Sequence, residues 1–148
     1  MSAELSPLDL SPLMALIRIG VPALRLVGGA ADYATAKDLR GLGTPSAYVL
    51  MARESAQAVQ PGKPARLGSQ VIDVQFGVAI ALRNYRDQAG AQMEKEVRQV
   101  VGGIRQVVLG WTPDVPGARM CGFVQGDVLD YDDSTLLWVD VFRTQRLQ

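Results

Sequence analysis

Between Ile72 and Leu82, apolar side chains occupy every second position: Ile72, Val74, Phe76, Val78, Ile80 and Leu82. The alternates are Asp73, Gln75, Gly77, Ala79 and Ala81, with Arg83 closing the run. Successive side chains of an extended chain point to opposite faces, whereas a helix would scatter this series around its circumference. The run therefore predicts a β-strand with one face in a core and the other outward. At about 3.3 Å per residue it spans roughly 40 Å, twice the usual strand, and is expected to project beyond its own core.

The elements around it follow from punctuation and period. Ser-Pro at Ser6 and again at Ser11 signals a helix start, and Leu8, Leu13, Leu16 and Ile17 predict a helix from Pro7 or Pro12 to Ile19, stopped by Gly20. Leu24–Val27 reads as a short strand ended by Gly28 and Gly29, and Asp32 as the N-cap of a helix over Tyr33–Leu39. After Pro45 a strand is expected from Ser46 to about Arg53, then a polar, breaker-rich loop from Glu54 to Gly68. Following a polar turn at Asn84–Gln88, a long helix carries Met93, Val97, Val100, Val101, Ile104 and Val108 at spacings of three and four. Gly102 and Gly103 interrupt it at about 1 kcal/mol each, which close approach to the sheet would explain. Strands at Cys121–Asp130 and Leu136–Arg143, joined through Tyr131–Ser134, predict an antiparallel hairpin. Helices flanking runs of strands, without βαβ alternation, indicate an α+β fold: a mainly antiparallel sheet with helices on one face, as a single domain over residues 1–148.

Composition limits the function. Lysine plus arginine and aspartate plus glutamate each number 15, so the net charge is zero. A nucleic-acid or membrane-surface binder generally carries a basic surplus, and none exists here. The beginning of the chain lacks a signal-peptide pattern and no apolar run is long enough to span a bilayer, so a soluble, cytosolically made protein is expected. The one cysteine, Cys121, permits no intrachain disulfide; set in the apolar run Met120–Phe123, it reads as a buried structural thiol.

There is no histidine, which removes Ser-His-Asp triads, Cys-His dyads and histidine-based zinc sites. The glycines form no phosphate loop. Trp111 and Trp138 read as core residues, not as a stacking platform for RNA. Asp127, Asp130, Asp132, Asp133 and Asp140 cluster in sequence but lack the spacing of a calcium loop. A solvated hairpin turn accounts for them, with a charged protein contact as the functional alternative. The candidate contact residues are accordingly Glu54, Gln60, Lys63 and Arg66 of the long loop and Asp127, Asp130, Asp132 and Asp133 of the hairpin. No catalytic, metal or cofactor residue is expected.

Four segments in order carry a resemblance: Val21–Asp32, Phe76–Val78 followed by Leu82–Asp87, Leu109–Pro113, and Leu129–Asp133 through Leu137-Trp138. Together they resemble the tail terminator (tail completion) proteins of long-tailed and Mu-like bacteriophages, over about Leu13 to Phe142. The resemblance implies a non-enzymatic virion subunit, assembled in the host cytoplasm and placed at the head-proximal end of the tail. It further implies a homo-oligomeric ring, usually a hexamer, that caps the tail tube, stops its polymerisation and offers a surface for head–tail joining. The implied partners are other copies of itself, the tail tube protein and a head-side connector. DNA passes only in transit through the pore, and no membrane is involved.

Two other classes stay open at this point. One is another head–tail connector or baseplate subunit, since fold does not fix function. The other is a small enzyme working with carboxylates and Mg²⁺ alone.

Overall fold

The computed structural model describes residues 5–36, 39–58, 70–83 and 91–148. In chain order the elements are α1 (Ser11–Gly20), β1 (Leu26–Gly28), α2 (Ala30–Thr35), a 3-10 turn (Leu39–Leu42), β2 (Ser46–Ala56), β3 (Val71–Arg83), α3 (Ala91–Leu109), β4 (Gly122–Tyr131) and β5 (Thr135–Leu147). The strands form one sheet in the order β1-β2-β3-β5-β4, antiparallel except for the parallel β1–β2 pair. The fold is α+β.

The period-two run is the middle strand. β3 pairs with β5 along its whole length, from Val71 opposite Leu147 to Arg83 opposite Thr135. On its other side β2 accompanies it from Ile72 opposite Ala56 to Ala81 opposite Ser46. The expected projection beyond the core is therefore not found, because two strands of similar length flank β3 and its inward side chains from Ile72 to Leu82 are all buried.

One face of β3 meets α1 and α3. Leu13 and Ile17 of α1, and Val100, Val101, Ile104 and Val108 of α3, close over Val74, Phe76, Val78 and Ile80. Phe76 stacks on Phe142 at 5.6 Å and meets the Trp111 ring edge-on at 6.4 Å. Burying a side chain of this size contributes about 1.5–3 kcal/mol. The opposite face is not uniformly outward. Tyr48, Ala79, Ala81 and Leu137 are covered by Leu42 of the 3-10 turn and by Tyr33 and Ala36 at α2, so β3 is buried on both sides from Phe76 to Leu82. Below that cover the second face is polar.

Several boundaries move for identifiable reasons. α2 begins three residues earlier than expected, at Ala30, and ends at Thr35: Asp32 lies in its first turn and accepts the Gly29 backbone N–H at 2.9 Å, so it braces the helix start from inside instead of capping it. β1 is correspondingly confined to Leu26–Gly28. β5 runs four residues past Arg143, because its inward positions there are Thr144 and Arg146, where apolar alternation no longer marks the strand. The paired glycines of α3 also have a different cause from close approach to the sheet. A Cβ on Gly103 would lie 3.4 Å from Val21 Cγ2, beyond the end of α1, whereas one on Gly102 would meet nothing within 4 Å. α1 and α3 approach closely at Gly20, where an added Cβ would come within 2.5 Å of Val107 Cγ2. The anticipated turn at Asn84–Gln88 lies outside the described residues.

Candidate assembly surface

β4 is an edge strand. β5 pairs with one side of it, and no other described strand pairs with the second. Its pairing is irregular at two places, between Phe123 and Gln125 and between Val128 and Asp130, leaving Val124 and Leu129 as the extra residue of each bulge. Most edge strands are protected by charge or by shortness. This one spans ten residues and exposes Phe123, Val124, Val128, Leu129 (57%) and Tyr131 (70%).

The edge is held from beneath by a charged brace. Arg105, one turn from the end of α3, donates from Nε to Asp140 Oδ2 at 2.7 Å and from Nη2 to Oδ1 at 2.9 Å. Trp138 Nε1 donates to the same Oδ1 at 2.8 Å. Asp140 is wholly buried, so its charge is stabilised by these three bonds and not by water. The pairing with Asp140 raises the Arg105 guanidinium further above its ordinary range, against the opposing effect of burial. The same guanidinium lies 4.5 Å over the Phe123 ring. β4 comes close enough for all this because Gly126 has no side chain: a Cβ there would sit 2.5 Å from Asp140 Oδ1 and 2.7 Å from Arg105 Nη2.

The hairpin aspartates divide into different roles. Asp127 and Asp130 stand opposite Val139 and Leu137, on the face of the sheet away from α3. Asp132 organises the turn, its Oδ1 accepting from the Ser134 N–H at 2.7 Å and the Thr135 N–H at 2.8 Å. Asp133 follows it in the same turn. Asp140 points to the α3 face, so the five do not converge, and no group of three or more His, Cys, Asp or Glu among the described residues could hold a metal ion.

Glu54 requires correction. It is not a loop residue but part of β2, which continues to Ala56 through a register shift after Met51. Its carboxylate meets the guanidinium of Arg146, which is 1% exposed, at 2.9 and 3.0 Å, and also accepts the Leu8 N–H at 3.2 Å. Arg146 holds the Glu54 carboxyl below the usual range, partly opposed by burial. Its side chain is engaged within the subunit. Gln60, Lys63 and Arg66 lie outside the described residues.

Cys121 is buried at the foot of β4, where loss of solvation pushes its thiol up to about 11. At neutral pH it is a protonated, unreactive group. The polar part of the second sheet face forms a shallow depression lined by Arg53, Gln75, Arg119, Arg143 and Gln145. Ser55, Thr144 and the Asp73 carboxylate share it with these cations and amides. Sequence reading missed the apolar edge and its brace; the available signal was Asp140, an acid at an inward position of a strand with no base between Gly122 and Phe142 to pair with it.

A family model described as phage tail terminator protein matches residues 3–148. No curated protein sequence matches. Among solved structures, a chain of the virion of a native gene transfer agent particle is similar, with 13% sequence identity, a TM-score of 0.49, and coverage of 93% of this chain and 86% of that one.

Proposed function

Because the chain belongs to the phage tail terminator protein family, and is thus a structural component of a virion that assembles with other virion proteins, we propose that it closes into a ring on the last layer of the tail tube. The ring, of six copies, stops tube polymerisation and presents its far side to the head-side connector. DNA passes through its centre without being read. The observation that best supports this reading is the β4 edge: a ten-residue strand with apolar side chains outward, seated by Phe123 against Arg105, whose pair with Asp140 joins α3 to β5. A monomeric protein gains nothing from a rigid, unpaired, apolar edge, and contiguous exposed apolar surface marks an association site. The work of such a subunit is done by shape and burial, and no residue is assigned a catalytic role.

Residues Gln60, Lys63 and Arg66 are assigned to contacts with the tube or a neighbour, and Asp127, Asp130, Asp132 and Asp133 to a subunit or pore surface. Deleting residues 61–66 should leave a folded chain that fails to assemble.

Electron microscopy of particles lacking this protein tests the reading. Overlong tails are expected, since nothing then halts the tube. Tails of normal length that fail to join heads would instead assign the chain to the connector, and intact infectious particles would remove it from tail assembly.

A further inference from the structure

Apart from Leu5 and Met51, the exposed large apolar side chains among the described residues lie toward the two opposite margins of the sheet. Phe123, Val124, Val128, Leu129 and Tyr131 lie along β4 at one edge, with Met120 just before it. At the other edge, Leu26 of β1 and Leu16 and Ile19 (79%) of α1 are exposed. α1 is fixed to that edge by Arg18, whose Nη2 donates to the Val27 carbonyl at 2.8 Å. Its inner stripe, Leu13 and Ile17, is buried, while Pro12, Leu16 and Ile19 form a second stripe at spacings of four and three. A helix apolar on two sides is built to be covered on both.

The margins also differ in charge. Residues 11–28 contain two arginines, Arg18 and Arg25, and no acid. Residues 122–142 contain five aspartates and no base. Asp140 is engaged internally by Arg105 and Asp132 by the turn, while Asp127 and Asp130 stand exposed on the open strand itself. The stretch of β4 and its turn from Asp127 to Asp133 is thus acidic beside its exposed apolar side chains, with Arg119 and Arg143 at the opposite end of the strand, while Arg18 and Arg25 make the α1–β1 margin basic.

The geometry points to a head-to-tail joint in which the β4 edge of one copy packs on the α1–β1 margin of the next. This rests on the ring reading above and says which surfaces make it. Two copies meeting through like margins would oppose aspartates to aspartates, or arginines to arginines, around an apolar centre. Meeting through unlike margins pairs the charges and covers both apolar patches. Unlike patches on opposite sides of a subunit make a heterologous contact, the kind that propagates from copy to copy and closes when the rotation allows. Arg25, exposed beside Leu26, is the cation placed to meet Asp127 or Asp130 of the neighbour.

The test uses the full chain with the tail tube protein of the same virion, read by electron microscopy and by the mass of the assembled species. L16D/I19D blocks one margin and V128D/L129D the other; both sets are surface positions, and thermal melts of each variant check folding. Each variant is expected to fold and to lose ring assembly. Separately, I19C/L129C treated with a short bis-maleimide should give a ladder of multimers, whereas I19C or L129C alone gives single chains; buried Cys121 stays silent. Dimers from either single-cysteine variant would mean that like margins meet, and would overturn the joint. Normal rings from both blocked variants would overturn it too, while leaving the ring reading intact. If the wild-type chain forms no ring with tube protein, the ring reading falls and the joint with it.

Discussion

Arg105 of α3 and Asp140 of β5 face each other with both donor–acceptor distances under 3 Å, 2.7 and 2.9 Å, although 35 residues separate them in the chain. The pair is unequal in its surroundings. The Asp140 side chain is fully buried, while that of Arg105 is 35% exposed.

That inequality predicts an unequal response to mutation. R105M leaves a buried carboxylate with only the Trp138 N–H, and removing one partner of a buried pair costs about 3–5 kcal/mol. D140N leaves Arg105 able to turn to water and keeps an acceptor for Trp138, so its cost should be nearer the ~1–2 kcal/mol of a lost charged hydrogen bond. Chemical denaturation of both variants measures the difference. Equal losses would mean that Asp140 is better solvated than the structure implies.

Acid should act through Glu54. Its folded carboxyl titrates below the ordinary glutamate range, chiefly because of the hydrogen bond from Arg146. The unfolded chain therefore takes up this proton first as pH falls. The stabilisation is fully present above the ordinary glutamate value and disappears as pH drops through the depressed one. Thermal midpoints measured from neutral down to about pH 3 should fall less steeply in E54Q than in the wild type, with E54Q less stable at neutral pH.

Two glycines should respond in opposite directions. G102A adds a methyl group where nothing lies within 4 Å, inside a helix, and should stabilise by up to about 1 kcal/mol. G126A drives a methyl group into the Arg105–Asp140 pair and should destabilise by about 1–3 kcal/mol. Both are read from melting curves, and a stabilising G126A would show that β4 is not seated against α3.

The Cys121 thiol should label only when the chain opens. Burial and a value pushed up to about 11 leave almost no thiolate at neutral pH. Reaction with a chromogenic disulfide reagent should be slow in buffer and immediate in denaturant. Fast labelling of the native protein would place Cys121 at the surface.

Much of the fold could be read from residue order, and the reasons for the failures are local. Ile72 to Leu82 announced the central strand because all six alternate positions are apolar. The helix face from Val100 to Val108 was equally plain. The ends of β2 and β5 were hidden because their inward positions, Glu54, Thr144 and Arg146, are polar side chains buried against one another or against backbone. A pattern of hydrophobicity cannot mark a strand whose inner face is an ion pair. The aspartates were visible as a group, but their separation onto two faces depends on register, and the register of β4 shifts twice. The apolar edge escaped notice for the same reason: Phe123, Val128 and Tyr131 share a face at spacings that match neither a strand nor a helix.

Those two shifts carry an implication for how β4 tolerates change. Each bulge is one residue of slack against β5, so shortening the strand by Val124 or by Leu129 would straighten it locally and leave the remaining partners in place. A regular strand would answer the same deletion by turning every later side chain over. β4 can therefore lose a residue at its rim while Asp140, Trp138 and Phe142 behind it keep their positions.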